Sequence, residues 1–172
     1  MKNRMPAIVA VIFAFVLLPQ TAAGDDKRTL SFYHTHTGDE LVVTYYENGE
    51  YLVPAMQQLR IFLADWRDGK QHDMDPAVMD ILWQIQVEIG HAGTWEVISA
   101  YRSPETNAML NKRSNGVARR SQHLQGKAID VRMRDEDSKK LYQVALELKL
   151  GGVGYYEQSD FIHVDTGRVR RW

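Results

Sequence analysis

Hydrophobic and polar residues alternate between residues 29 and 51, which is typical of β-strands with one buried face. The alternation predicts a β-hairpin over Thr29–Tyr51, in which Leu30 and Phe32 point to the same face. The segment Glu-Asn-Gly-Glu at 47–50 predicts a tight turn, because Asn-Gly accepts positive φ angles. The pattern therefore places a β-hairpin ahead of the first helix.

Apolar residues then recur every three or four positions in three longer segments, which is the spacing of amphipathic helices. The second segment has the clearest ends, because Asp75 followed by Pro76 is typical of a helix start and Gly90 of a helix end. The predicted helices lie between Pro54 and Lys70, between Asp75 and Gly90, and between Asp137 and Leu150, and a shorter helix follows Ser103.

Four short apolar segments predict further strands, and most of them follow the helices. They cover residues 95–100, 128–133, 153–156 and 161–165. Two of the four predicted helices precede most of the predicted strands. This order favours an α+β fold over a doubly wound parallel sheet. We therefore predict a single α+β domain over residues 24–172, with an antiparallel sheet and helices packed on one side.

The first 23 residues have the organisation of a secretory signal peptide. Lys2 and Arg4 precede an apolar segment from Ala7 to Leu18, and small residues follow at 21–23. The apolar segment is about a dozen residues long, shorter than the roughly 20 residues that span a bilayer. We predict that residues 1–23 direct export to the periplasm, with an uncleaved anchor as the alternative, and that no membrane span remains after cleavage.

The amino-acid composition limits the chemistry that the chain can carry out. There is no cysteine, which excludes disulfides, thiolate metal sites, iron–sulfur clusters and a cysteine nucleophile. Any metal must therefore be held by His, Asp or Glu. The chain has 21 basic and 22 acidic residues, and this near-neutral balance argues against nucleic acid as a partner.

Two of the predicted strands carry potential metal ligands on their polar faces. Asp130 lies on the opposite face from Ile129, and His163 lies on the opposite face from Ile162. If the two strands pair, His163 can face Asp130 at roughly 5 Å between Cβ atoms. The sequence therefore predicts a His–Asp pair on the open face of the sheet.

A third potential ligand, His123, ends a basic loop just before the Asp130 strand. Gly126 allows a sharp turn that can fold His123 back over Asp130. A single histidine is more often an ordinary core or surface residue, but two histidines and one carboxylate form a three-ligand catalytic zinc set with a fourth position for water. Such a metal lowers the pKa of water and polarises a carbonyl group.

The segment Ser-x-His-x-x-Gly-x-Ala-x-Asp at 121–130 resembles the zinc-binding signature of the M15 metallopeptidases. These are D,D-carboxypeptidases, D,D-dipeptidases and murein endopeptidases with the D-Ala-D-Ala peptidase/hedgehog fold. Further blocks, which cover nearly all of the mature chain, resemble an exported murein endopeptidase subgroup once called a domain of unknown function. They are Leu-Ser-Phe-Tyr-His-Thr-His-Thr-Gly near the start, Ser-Ala-Tyr-Arg-Ser-Pro at 99–104, and the segment from Gly-Gly-Val-Gly-Tyr-Tyr to Val-Arg-x-Trp at 151–172.

The resemblance implies roles for four residues. It implies that His123, Asp130 and His163 bind Zn²⁺, in agreement with the strand pattern. It also implies that Arg102 lies near the substrate carbonyl and stabilises the developing oxyanion. A structural salt bridge is the alternative role for Arg102.

The general base is the position where the chain departs from the family pattern. Many members have a Glu three residues before the last ligand or a His two residues before it, and here these positions are Asp160 and Phe161. We predict Asp165 as the catalytic carboxylate in preference to Asp160, because Asp165 shares the face of His163. Alternatively, Asp165 fixes the orientation of a ligating histidine.

The sequence thus predicts an exported, monomeric zinc peptidase that hydrolyses amide bonds in peptidoglycan (murein) stem peptides or their cross-links. A D,D-carboxypeptidase acting on free stem peptides and a non-catalytic murein- or metal-binding module are the alternatives. Basic residues near the site either bind carboxylates of the murein peptide or belong to a solvated loop. They are Arg113, Arg119, Arg120 and Lys127. The pair His34 and His36 has the spacing of metal ligands, but a polar hairpin face is the preferred interpretation.

Overall fold

The computed structural model describes residues 26–114 and 116–172, so the predicted signal peptide lies outside the described residues. The described chain has the predicted α+β class, with one sheet of eight strands and four α-helices. The strands are β1 (Arg28–His34), β2 (Glu40–Glu47), β3 (Glu50–Tyr51), β4 (Thr94–Ser99), β5 (Ala128–Met133), β6 (Gly152–Tyr156), β7 (Phe161–Asp165) and β8 (Arg170–Arg171). The helices are α1 (Val53–Phe62), α2 (Pro76–Ile89), α3 (Pro104–Arg113) and α4 (Ser138–Leu148), with 3₁₀ turns at Gln122–Gln125 and Glu157–Ser159.

The sheet is mixed, whereas the sequence predicted an antiparallel one. Its strand order is β3-β2-β1-β4-β5-β7-β6-β8, and the pairs β1–β4 and β6–β8 are parallel. Parallel neighbours need a long crossover, which α1 and α2 provide between β2 and β4. The second parallel pair involves β8, a two-residue strand that the apolar pattern did not predict.

The helices α2 and α4 contact each other and pack on one face of the sheet. Buried strand residues such as Phe32, Trp95 and Ile129 meet buried helix residues such as Leu82 and Leu141 in one apolar core. Burial of this apolar surface is the main stabilising contribution to the fold. The polar positions of β5 and β7 face away from that core, and this open face carries the candidate site.

The predicted Asn48-Gly49 turn is present, with φ angles of 53° and 86°, and it joins β2 to the short β3. The predicted extent of the first helix needs correction. Helix α1 ends at Phe62, so Trp66 lies beyond it. The segment after α1 leaves the helix because the buried Asp65 carboxylate accepts a hydrogen bond from the backbone N–H of Ser103 at 2.9 Å.

The predicted start of α2 is confirmed, and it also anchors the site. Asp75 caps the helix, because its Oδ1 accepts from the backbone N–H of Ala77 at 3.1 Å. Its other oxygen accepts from the Thr166 hydroxyl at 2.8 Å, just after β7. The backbone N–H of Asp75 donates to the carbonyl of Gly126, next to the turn that carries His123, at 2.9 Å. One capping residue therefore links α2 to both segments that supply histidines.

Candidate metal centre

The position of His123 is fixed by a short 3₁₀ turn. The Ser121 hydroxyl accepts from the backbone N–H of His123, and Gly126 ends the turn in the left-handed region with a φ of 64°. A Cβ atom at Gly126 would collide with the backbone carbonyl of Asp73. Only glycine fits this turn without strain, and it holds the His123 side chain in a buried position.

The other two predicted ligands meet across paired strands. β5 and β7 are antiparallel, and Asp130 lies directly opposite His163, as the strand pattern predicted. On the other side of β7, His163 lies opposite Gly154 of β6. Both potential ligands belong to the central part of the sheet, where ladder hydrogen bonds on both sides restrict their movement.

The ligand atoms of the three residues converge on one point. His163 Nδ1 lies 2.8 Å from Asp130 Oδ1, and His123 Nε2 lies 3.2 Å from both His163 Nδ1 and Asp130 Oδ1. All three residues are buried, with exposed fractions of 8% or less. Among the described residues, these three form the one group of His, Asp and Glu side chains close enough to hold a metal ion together.

Hydrogen bonds on the far side of each imidazole determine where its proton lies. His123 Nδ1 is 2.6 Å from the carbonyl oxygen of Ala100, which can only accept a hydrogen bond. His163 Nε2 is 2.8 Å from Oδ2 of Asp165. When each imidazole donates to these partners, the lone pairs of His123 Nε2 and His163 Nδ1 both face Asp130. Three acceptor atoms then share one point, which suits a divalent cation.

The charges around this point are strongly coupled. Burial lowers the pKa of His123 below its usual value. Burial also opposes charge on His163, but hydrogen bonds to Asp130 and Asp165 raise the pKa of that imidazole to about 9. Although burial disfavours its ionised form, the contacts with His123 and His163 hold the pKa of Asp130 well below its usual range. The centre therefore attracts one positive charge, which a proton or a metal ion can supply.

Asp165 lies behind His163 and does not line the cleft described below. Its side chain is fully buried, and Arg170 donates to Oδ1 at 2.9 Å and to Oδ2 at 2.6 Å. The backbone N–H of Gly167 also donates to Oδ1, at 2.8 Å. Burial works against ionisation, but His163 and Arg170 lower the pKa of Asp165. This geometry favours the role in which Asp165 orients His163, and a general-base role stays a prediction.

Asp160 occupies a different environment. Its side chain is 65% exposed, and its nearest cationic partner is Arg132, with 3.9 Å between Oδ2 and Nη1. Its backbone has a φ of 49°, so it leaves the regular strand just before β7 begins. The carboxylate does not line the cleft, and a catalytic role for Asp160 likewise stays a prediction.

Arg102 lies beside the predicted ligands. Its Nη2 donates to Asp130 Oδ2 at 3.4 Å and to the Ser99 hydroxyl at 3.3 Å. The backbone N–H of Arg102 donates to the carbonyl of His123 at 3.1 Å, which ties the two predicted site residues together. Arg102 is buried, and its Nε has no hydrogen-bond partner in the described chain. The guanidinium contacts the carboxylate of the predicted ligand Asp130 and retains unused donors.

A cleft of about 770 Å³ opens over the three ligands. One wall is aromatic: Tyr156 and Phe161 stack at 4.5 Å between ring centroids, and the Trp172 ring centroid lies 5.1 Å from that of His163. Trp172 fits there because Gly154 has no side chain, and a Cβ atom at Gly154 would lie 2.6 Å from Cε2 of the indole.

The strand and helix patterns of the sequence did not place Arg170 or Trp172 at the site. Both residues line the cleft. The Val-Arg-x-Trp pattern at the end of the family resemblance was the available signal, but the two-residue β8 has no periodicity that indicates a strand.

The pair His34 and His36 does not form a metal site with other described residues. His34 is buried and accepts a hydrogen bond at Nδ1 from the backbone N–H of His36, at 3.3 Å. The ring of His36 stacks on Trp66 with 4.0 Å between centroids. These contacts give both histidines local packing roles.

Comparison with known proteins identifies the class to which this fold and site belong. A family model described as peptidoglycan L,D-endopeptidase MepK, of the M15 peptidases, matches residues 22–172. The chain belongs to this family of metallopeptidases.

Curated relatives match over nearly the whole chain. The peptidoglycan L,D-endopeptidase MepK of Escherichia coli (strain K12) is 32% identical over 175 residues, which cover 99% of this chain and 96% of the relative. The probable peptidoglycan L,D-endopeptidase MepK of Haemophilus influenzae is 41% identical over 182 residues, which cover 99% of this chain and 95% of the relative. No solved structure gives a significant match. Within residues 26–114 and 116–172, no helix has the length and apolar character needed to cross a membrane.

Proposed function

We propose that this chain is a metal-dependent endopeptidase that hydrolyses amide bonds between the peptide strands of peptidoglycan. Family membership and the names of the relatives support the reaction and the substrate. One structural observation carries the proposal: His123, Asp130 and His163 point three acceptor atoms at one buried point beside an open cleft.

We assign these three residues as the ligands of Zn²⁺. Two imidazoles and one carboxylate, with open space on the cleft side, match the donor set of catalytic zinc sites. When bound, a divalent ion at this point supplies Lewis-acid chemistry, polarising a carbonyl and activating water near neutral pH. The carbonyl of Ala100 and the carboxylate of Asp165 keep the two imidazoles in the ligating tautomer.

Arg102 supplies the second positive group for the reaction. It contacts Asp130 and lines the cleft, so its remaining donors can bind the carbonyl oxygen of the scissile amide. The negative charge of a tetrahedral intermediate develops on that oxygen, and a donor already in place stabilises it without reorganisation. We therefore propose Arg102 as a catalytic residue that lowers the barrier to attack.

Asp165 is proposed as a positioning residue. Arg170 and the backbone N–H of Gly167 hold its carboxylate, and it in turn holds Nε2 of His163. A partner of this kind raises the basicity of a ligating imidazole and restricts its rotation. The role of Asp165 is thus exerted through His163.

Digestion of purified cross-linked murein tests the function. Muropeptides are analysed by mass spectrometry before and after incubation with the zinc-loaded protein, and cross-linked dimers should be converted to monomers. Release of terminal D-alanine alone would indicate a D,D-carboxypeptidase, and bound zinc with no product would indicate a binding module. The His163→Ala variant should be folded and inactive, and full cleavage by that variant would refute the assignment.

The location and assembly of the protein are proposed with the function. A substrate in the cell wall requires export, which agrees with the charged, apolar and small-residue segments of residues 1–23. We propose a periplasmic monomer, because one chain supplies all three ligands, Arg102 and the cleft. Signal cleavage would remove two basic residues and change the formal charge from −1 to −3.

A further inference from the structure

The cleft is much more basic than the chain as a whole. The chain has a formal charge of −1, yet four arginines line the cleft, and Asp130 is the one carboxylate among its described lining residues. The arginines are Arg102, Arg120, Arg168 and Arg170. Such a concentration of one charge in a concave site attracts ligands of the opposite charge.

Two of these arginines already have carboxylate partners within the protein. Arg102 contacts Asp130, and Arg170 forms a two-point contact with Asp165. Arg120 and Arg168 are exposed, and neither forms an ion pair with an acidic residue of the described chain. They are therefore the cleft guanidinium groups whose charge is not already paired with a carboxylate of the described chain.

Arg120 immediately precedes a segment that contacts the loop of Arg168. The backbone N–H of Thr166 donates to the carbonyl of Lys127 at 3.0 Å. A Cβ atom at Gly167 would lie 2.7 Å from Nε2 of Gln122. The 3₁₀ turn of His123, which begins two residues after Arg120, thus contacts the loop after β7 that carries Arg168. We call the two cleft-lining arginines Arg120 and Arg168 the basic edge.

We propose that the basic edge binds a free carboxylate of the peptide substrate next to the scissile amide. This inference rests on the proposed function and adds a specificity determinant to it. Of the four basic residues that the sequence placed near the site, Arg120 lines the cleft. Arg113, Arg119 and Lys127 do not line it. A planar guanidinium binds a carboxylate through two parallel hydrogen bonds, which selects an acid over its neutral amide.

The test compares arginines inside and outside the cleft. Arg120→Gln and Arg168→Gln remove one charge each from the basic edge. Arg119→Gln and Arg171→Gln remove the same charge from exposed neighbours that do not line the cleft, and they serve as matched controls. Each zinc-loaded protein is assayed on a cross-linked peptide with free carboxylates and on the same peptide with those carboxylates amidated.

Each basic-edge variant should raise KM for the free-acid peptide about tenfold and leave kcat within twofold, since tenfold corresponds to roughly one charge-assisted contact. KM for the amidated peptide should not change, and the two controls should behave as wild type. Equal effects on both peptides, or equal effects of Arg119→Gln and Arg120→Gln, would overturn the inference.

A measurement of peptide binding without hydrolysis distinguishes a failure of the basic edge from a failure of the proposed function. Calorimetric titration of the peptides into the metal-free His163→Ala protein at low temperature reports affinity without turnover. Tighter binding of the free acid, lost in a variant that also carries Arg120→Gln, supports the basic edge. Equal binding of acid and amide overturns it, whereas absence of hydrolysis by wild type overturns only the proposed function.

Discussion

Asp165 Oδ2 and His163 Nε2 lie 2.8 Å apart, although the two residues are separated by one position on the same strand. When His163 binds a metal through Nδ1, this contact keeps the remaining proton on Nε2. The other nitrogen, Nδ1, then faces Asp130 and His123. The contact therefore positions the proposed metal ligand His163.

Replacing Asp165 with Asn should reduce zinc affinity by about 10- to 100-fold, which is the usual effect of losing the partner of a ligating histidine. Competition with a chromogenic chelator measures this change. Asp160→Asn is the control, because that carboxylate is exposed and lies outside the cleft. If Asp165 were instead the general base, Asp165→Asn would abolish kcat while zinc affinity stayed at the wild-type value.

Zinc binding should release about one proton from the protein at pH 7.5. The contacts with Asp130 and Asp165 raise the pKa of His163 to about 9, against burial, so the imidazole of the metal-free protein is charged at that pH. A bound metal needs the Nδ1 lone pair and displaces that proton. Calorimetry in buffers of different ionisation enthalpy counts the released protons, and the number should fall towards zero above pH 9.

The raised pKa of His163 also affects the stability of the metal-free protein. Because the folded pKa of His163 lies above the unfolded value of 6.5, protonation contributes stability that is complete below pH 6.5 and is lost as pH rises through about 9. Chemical unfolding of metal-free protein across this range measures the loss. The His163→Ala variant should lack this part of the pH dependence, and an identical profile in both proteins would argue against the shift.

Arg102→Lys should reduce kcat by about 100-fold and leave zinc content at one per chain. A lysine keeps the positive charge but cannot hold Asp130 and the substrate carbonyl at once, and loss of one oxyanion donor typically costs two to three orders of magnitude in kcat. Arg60→Lys, at an exposed position of α1, is the control and should retain wild-type kinetics. Unchanged kcat in Arg102→Lys would assign Arg102 a purely structural role.

Gly154→Ala should disturb the aromatic wall. The new methyl group would lie 2.6 Å from the Trp172 ring, so the indole must move away from His163, at a cost of about 1–3 kcal/mol. Denaturant unfolding gives the free energy, and the kinetic assay should show a raised KM. Gly116→Ala is the control for the unfolding measurement, because the nearest atom to its Cβ would be 3.7 Å away.

The convergence of Asp130 and His163 could be predicted because both residues follow the period-two pattern of strands. Asp130 and His163 each alternate with apolar neighbours, so the sequence alone placed both on one face, and the observed register pairs them. His123 could be placed near Asp130 because Gly126 allows a sharp turn, and in the structure Gly126 ends the turn that contains His123 in the left-handed conformation.

Other features depend on contacts between distant residues and left no local pattern. The parallel pairing of β1 with β4 joins segments separated by two helices. Helix α1 ends early because Asp65 binds the backbone of Ser103, 38 positions away. β8 is too short to show periodicity, yet Arg170 reaches Asp165, and Trp172, next to β8, packs against His163.

Hydrolysis of cross-linked murein as a function of zinc added to metal-free protein tests the central claim most directly. We expect no conversion of dimers to monomers without metal, then a linear rise that saturates at one zinc per chain, in wild type but not in His163→Ala. Full hydrolysis before any metal is added, or equal hydrolysis by His163→Ala, would contradict a catalytic centre built on His123, Asp130 and His163.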